Sequence, residues 1–165
     1  MKISYGKNVY GPKEINAVLA KLKKTTQMGS SVDLFEKKIG KLFSKKFSLM
    51  VNSGSSALTL AMNVLNLKKG DEVITPCLNF GTAVSSILLS GAKPKFIDID
   101  IESLQINVEN IKKNISKKTK AILVPNLIGN IPDWEKIRII ANKNNIKVIE
   151  DSADTLGATI NNKPT

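Results

Sequence analysis

Three short stretches carry side chains whose types and spacing could do chemistry together: Asn52-Ser-Gly-Ser-Ser56, Cys77-Leu-Asn-Phe-Gly81 and Glu150-Asp-Ser152. In the first, small and polar residues stand between an apolar run and Ala57-Leu-Thr-Leu-Ala-Met-Asn-Val-Leu65, which reads as a helix. A strand that turns through such residues into a helix points unpaired backbone N–H groups and the positive end of the helix dipole at an anion. Gly54 lets a phosphate approach the backbone, and Ser55 and Ser56 add hydroxyl donors. An ordinary helix N-cap would use the same serines. In the second stretch Phe80 offers a flat ring for stacking, although a place in the core would suit it too. In the third, Asp151 reads either as the partner of a basic ring nitrogen or as the cap of the next segment. An anion site, an aromatic ring and a carboxylate in one place match a phosphorylated aromatic cofactor with a basic ring nitrogen, and pyridoxal phosphate fits that description. Asp151 would keep the ring protonated and so make it an electron sink. A dinucleotide is the poorer match, because no Gly-x-Gly-x-x-Gly follows the first strand.

For these stretches to meet, the elements around them must end at one place. Pro12 opens a helix in which Ile15, Val18, Leu19 and Leu22 share a face. A second amphipathic helix carries Val32, Phe35, Ile39 and Leu42 on one side. Residues 1–11 read as extended, and residues 47–51 as the first core strand. From there strand and helix alternate: strands at 72–75, 95–99, 119–124 and 146–149, and helices from Thr82 to Leu89, Val108 to Ile115 and Asp133 to Asn142. Short apolar strands alternating with helices predict a three-layer α/β/α fold with a mainly parallel sheet. In such a sheet functional residues gather at the carboxyl ends of strands, where all three stretches fall. The predicted organisation is an N-terminal helical segment over 1–46 and part of a large α/β domain over 47–165. Gly157 to Thr165 reads as one strand of a hairpin with an Asn-Asn turn and no return strand, which suggests a truncated fold from a longer protein.

Composition narrows the function classes. An apolar fraction of 42% supports a packed core. No apolar run approaches membrane-span length, and the first residues lack a signal-peptide core, so neither membrane nor secretion is expected. A lone cysteine, Cys77, matches a reducing, cytoplasmic setting. The absence of histidine excludes His-based catalysis and the usual zinc sites within this chain, and no metal is expected. A net charge of +11 raises a competing reading, a non-catalytic basic α/β domain that binds nucleic acid or an acidic partner. Against it, Arg138 is the only arginine, and the lysines form scattered pairs on helix faces. Nucleic-acid binding is therefore not expected.

Five motifs, in order and spacing, resemble the DegT/DnrJ/StrS family of sugar aminotransferases and dehydrases. They are Phe35-Glu36, Asn52-Ser-Gly-Ser-Ser-Ala-Leu58, Gly70-Asp-Glu-Val-Ile-Thr-Pro76, Gly91-Ala-Lys-Pro-Lys-Phe-Ile-Asp-Ile-Asp100 and Val148-Ile-Glu-Asp-Ser-Ala-Asp-Thr-Leu-Gly-Ala158. The resemblance implies the aspartate-aminotransferase (type I) fold of pyridoxal-phosphate-dependent transferases. It implies cofactor phosphate at Gly54, Ser55 and Ser56, ring stacking by Phe80 and a ring-nitrogen salt bridge at Asp151. It also implies a nucleotide-linked 4-keto-6-deoxy sugar as substrate, a role in polysaccharide or lipopolysaccharide synthesis, and a homodimer when full length. Two positions depart from the aminotransferase pattern. Asp154, near the ring hydroxyl, stands where Gln or His is usual, and Asn126 where His is usual. With Gly129-Asn130, Asp154 is more similar to the 3-dehydrases of the family, which use the pyridoxamine phosphate form. The family's Schiff-base lysine, or the histidine that replaces it, is expected beyond Thr165, so no catalytic base is assigned.

Overall fold

Local sequence decides where each helix starts, as the computed structural model of residues 7–164 shows in both its units, one ending at Met50 and one beginning at Val51. The extended reading of residues 1–6, like Thr165, lies outside the described residues. In the first unit, helix α1 spans Pro12–Leu22 and helix α2 Ser30–Leu42. Pro12 sits at N1, where its missing N–H costs nothing, and Glu14 turns back to accept the Gly11 N–H at 2.7 Å.

Residues 47–51 are not a strand. Glu36 of α2 fastens the run instead: its Oε1 accepts the Met50 N–H at 2.8 Å, and its carbonyl oxygen accepts the Ser48 hydroxyl. Phe47 is 82% exposed and Leu49 74%. The close approach of Ser48 also explains Gly40, the one buried residue of α2. A Cβ there would meet Ser48 Oγ at 3.1 Å and the Lys45 carbonyl oxygen at 3.2 Å.

The second unit is built on four parallel strands: β1 Glu72–Pro76, β2 Lys93–Ile97, β3 Thr119–Pro125 and β4 Lys147–Asp151, in the order β2-β1-β3-β4. Between them run α3 Gly54–Val64, α4 Gly81–Leu89, α5 Val108–Asn114 and α6 Trp134–Lys143. Side chains along a strand alternate between faces, and here they sort into two cores. Val73, Ala121 and Leu123 pack with Leu58 and Met62 of α3 and Ala83 and Ile87 of α4. Ile74, Ile122 and Val124 pack on the opposite face with Ile111 of α5 and Trp134 and Ile137 of α6. The result is a three-layer α/β/α arrangement, as expected. β3 is central and buried on both faces, which is why it reads as a continuous apolar run.

Other boundaries shift. β2 starts two residues earlier than read, and Phe80 rather than Thr82 occupies the N-cap of α4. Helix α3 starts at Gly54, three residues before the apolar run, because Ser53 caps it. The hairpin does return: β5 Thr159–Ile160 pairs antiparallel with β6 Lys163–Pro164. Asn161 and Asn162, at φ 51° and 60°, form the left-handed two-residue turn that asparagine favours. At the amino end of the sheet, Glu72 accepts from Ser116 and Thr119 and pairs with Lys95 at 3.5 Å. Its carboxyl is held below the usual carboxylate range, chiefly by the Ser116 hydrogen bond. No described helix is long and apolar enough to cross a membrane.

Because Ile122 is fully buried at the centre of the sheet, Ile122→Ala should lower unfolding free energy by about 2–5 kcal/mol in urea titrations. The same change at exposed Ile101 should stay within about 0.5 kcal/mol.

Candidate functional site

Parallel strands put their carboxyl ends on one edge, and there the sheet delivers Pro76 of β1, Pro125 of β3 and Asp151 of β4. Two strand spacings separate the ends of β1 and β4, about 10 Å. Helix α3 has 11 residues and leads through a loop at 65–71 into the 5-residue β1. Both rise about 16 Å, so the start of α3 comes back to the edge where β1 ends.

Alternation then decides which side of the sheet each residue serves. Ile149 packs with the α3–α4 core and Val148 with the α5–α6 core. Two residues on from Ile149, Asp151 is therefore on the α3–α4 side, and Glu150 is on the other. The α3 N-terminus, Phe80 at the head of α4 and Asp151 thus share one end and one face of the sheet.

At the α3 N-terminus, Ser53 Oγ accepts the Ser56 N–H at 3.2 Å, and Ser56 Oγ donates to Asn52 Oδ1 at 2.7 Å. Ala57 N–H reaches the Ser53 carbonyl oxygen. Among the described residues, the N–H groups of Gly54 and Ser55 and the Ser55 hydroxyl have no protein partner. No acidic residue offsets the dipole in this first turn, and a Cβ at Gly54 would meet open space. Ser53 thus caps the helix, while Gly54 and Ser55 are exposed beyond the cap.

Phe80 is 70% exposed, which removes the core reading of this residue. Asn79 holds it in place, donating to Thr75 Oγ1 at 2.9 Å and accepting the Phe80 N–H at 2.7 Å. Asp151 does not cap a helix: among the described residues, no helix starts after it. Its Oδ1 accepts the Ala153 N–H at 3.1 Å in a local turn. Asp154 lies on the loop after β4 and is exposed. Its Oδ2 accepts the N–H of Ile128 at 3.2 Å, in the 3-10 turn Leu127–Gly129 that follows β3. Ile128 has φ 57°, a strained value for a β-branched residue, and the Asp154 bond helps hold it.

Behind this edge lies a polar cluster that composition and periodicity do not reveal. Asn126 is fully buried. Its Nδ2 lies 3.0 Å from Glu150 Oε1 and 3.1 Å from both Ser152 Oγ and Thr155 Oγ1, while its Oδ1 accepts from Trp134 Nε1 at 2.8 Å. Arg138 closes the cluster, 3.5 Å from the other Glu150 oxygen. The one signal in the sequence was an asparagine directly after the most apolar strand, where a buried amide needs partners.

A family model described as the DegT/DnrJ/EryC1/StrS aminotransferase family matches residues 10–165. Among curated relatives, a GDP-4-keto-6-deoxy-D-mannose 3-dehydratase of Escherichia coli O55:H7 is 39% identical over 142 residues, covering 82% of this chain and 37% of that protein. A dTDP-3-amino-3,6-dideoxy-alpha-D-galactopyranose transaminase of Aneurinibacillus thermoaerophilus is 38% identical over 136 residues, covering 82% of this chain and 38% of that one. The chain thus spans less than two fifths of these relatives' lengths. A solved structure of the E. coli GDP-4-keto-6-deoxy-D-mannose-3-dehydratase with bound hydrated PLP superposes with a TM-score of 0.91 at 35% identity, over 96% of this chain and 43% of that one. The fold is that of the pyridoxal-phosphate-dependent sugar aminotransferases.

Helix α6 brings Trp134 and Arg138 to the buried cluster, and Asp133 caps it, accepting the Lys136 N–H at 3.0 Å. That backbone bond, with the Lys136 side chain, holds the Asp133 carboxyl below its ordinary range. A carboxyl that is more acidic folded than unfolded stabilises the fold above the unfolded value and loses that contribution as pH falls through the folded one. Asp133→Ala should therefore cost about 1 kcal/mol in denaturant titrations at neutral pH. The difference from wild type should shrink on acidification below the carboxylate range.

Proposed function

The chain belongs to the DegT/DnrJ/EryC1/StrS aminotransferase family, and from that premise we propose that it forms part of a pyridoxal-phosphate-dependent enzyme acting on nucleotide-linked 4-keto-6-deoxy sugars. The reaction is amino transfer or C-3 dehydration, in polysaccharide or lipopolysaccharide biosynthesis. In this reading residues 47–165 are part of the large cofactor-binding domain and residues 1–46 a helical segment preceding it. The full-length protein is a cytoplasmic homodimer.

The observation that carries the reading is the convergence of the Gly54–Ser56 turn, exposed Phe80 and Asp151 on one face and one end of the sheet. These residues fit the cofactor by their chemistry. The unpartnered N–H groups of Gly54 and Ser55 and the Ser55 hydroxyl suit a phosphate, with Ser56 completing the turn. Gly54 keeps the cradle open, since no Cβ fills the space above it. Phe80 presents a ring for stacking. Asp151 would supply the carboxylate that keeps a proton on a ring nitrogen. When bound, pyridoxal phosphate supplies a protonated ring that takes up the electron pair of a substrate carbanion.

Asp154 is assigned to the neighbourhood of the ring hydroxyl. Its bond to Ile128 joins it to Gly129-Asn130, so the two features similar to the 3-dehydrases form one unit. That supports the dehydrase branch and the pyridoxamine phosphate form of the cofactor, with the aminotransferase as the other member of the pair.

In the full-length enzyme, Asp151→Asn should lower turnover by about 100-fold or more while cofactor absorbance shows it still bound. Turnover near wild type would remove the role. Ser55→Ala should raise the Kd for pyridoxal phosphate about tenfold, as expected for a lost hydrogen bond to a charged group. Ser56→Ala should act less, because its hydroxyl already serves Asn52.

A further inference from the structure

We infer that Asn126 is a positioning residue that fixes Asp151 by gripping the residues on both sides of it. The inference rests on Asp151 being the partner of the cofactor ring nitrogen. Asn126 follows the last residue of β3, and its backbone N–H donates to the Asp151 carbonyl oxygen at 2.9 Å, the final rung of the β3–β4 ladder. Its side chain then reaches Glu150 on one side of Asp151 and Ser152 on the other, at 3.0 and 3.1 Å, and Thr155, next to Asp154, at 3.1 Å.

The orientation of the amide is fixed by chemistry. Indole Nε1 is only a donor, so the group that faces Trp134 must be Oδ1, and Nδ2 must face the three acceptors. An amide has two N–H hydrogens for these three, and Ser152 relieves the excess by donating its own hydroxyl proton to Glu150 Oε1 at 2.9 Å. Arg138 draws the second Glu150 oxygen toward α6.

By alternation this cluster lies on the α5–α6 side of the sheet and Asp151 on the other. Asn126 therefore acts on Asp151 from behind the sheet, through the backbone. The need for such a grip is visible in the topology. Among the described residues β4 pairs only with β3, so the restraint they place on its carboxyl end comes from the β3 side. Few side chains could replace Asn126. Aspartate would set a carboxylate against Glu150, and leucine would leave Glu150, Ser152, Thr155 and Trp134 without their buried partner.

The test uses the full-length protein loaded with pyridoxal phosphate carrying nitrogen-15 in the ring, whose NMR shift reports whether that nitrogen holds a proton. Asp151→Asn is the reference. Asn126→Leu should bind the cofactor within about threefold of wild type, because the phosphate anchor at Gly54–Ser56 is untouched. Its ring nitrogen should lose the proton about one pH unit lower or more, roughly a tenfold change in proton affinity. In the cofactor-free protein, amide exchange at Asp151 should speed up about tenfold. Trp134→Phe and Thr155→Val, which each remove one hydrogen bond and keep the packing, should shift the ring titration in the same direction by less. They decide the question if Asn126→Leu fails to fold. A wild-type ring titration in folded variants would overturn the positioning role. If Asp151→Asn itself leaves the ring nitrogen protonated as in wild type, the cofactor reading fails, and the positioning role with it.

Discussion

The parallel hydrogen-bond ladder from β1 through β3 to β4 is the constraint on which everything else in the second unit depends. Parallel pairing sends all the carboxyl ends to one edge, and the period of two sends neighbouring side chains to opposite faces. Asp151 and Glu150 are adjacent in sequence, yet the ladder gives them to different layers. A slip of one residue in β4 would exchange them, putting Asp151 into the buried amide cluster and Glu150 on the face of the candidate site. Register is thus a chemical specification as well as a structural one. The apolar alternation of Val148 and Ile149, each matched to its own core, enforces it.

A buried amide is a costly way to fasten a strand end, since each of its polar atoms loses water. Asn126 offsets that loss by satisfying both ends of the amide, and its neighbours in turn satisfy one another. The same chain segment holds the strained Ile128 turn, which Asp154 and Gln105 secure from outside. The loops that follow β3 and β4 are therefore tied together at the edge where the candidate site lies. The rigidity of that edge comes from polar bonds, while the layers beneath it are held by aliphatic packing.

Much of this was legible in the sequence. Strand–helix alternation from residue 72 on, the central apolar run of β3, the Asp133 cap and the two stretches that follow β1 and β4 come from local composition and period, whereas the Asn52–Ser56 turn opens α3 without a strand before it. What the sequence left open or misread turns on partners and exposure that no local period encodes. Residues 47–51 have the apolar character of a strand, but strand formation needs a partner ladder, and among the described residues none pairs with them, while Glu36 holds the Met50 N–H. Phe80 could be weighed only as core or stacking platform until its exposure was known. The partners of Asn126 are 8 to 29 residues distant, and no period links them. Boundary errors were smaller and local. Helix α3 starts early because a capping serine outweighs weak helix propensity in its first turn.

The two margins of the sheet are unequal. In β2 the Lys93 N–H and the Ile97 carbonyl point toward β1, so the alternate residue Pro94 turns its missing N–H outward, between two lysines. That side repels further pairing. In β4 the Asp151 carbonyl points toward β3, which leaves the N–H and carbonyl groups of Val148 and Glu150 facing outward with no proline among them. Among the described residues, the β4 margin is therefore the better template for a further strand. Whatever strand docks along Val148–Glu150, from this molecule or a neighbouring one, meets a ready template, so the same margin governs both completion of the layer and unwanted self-association.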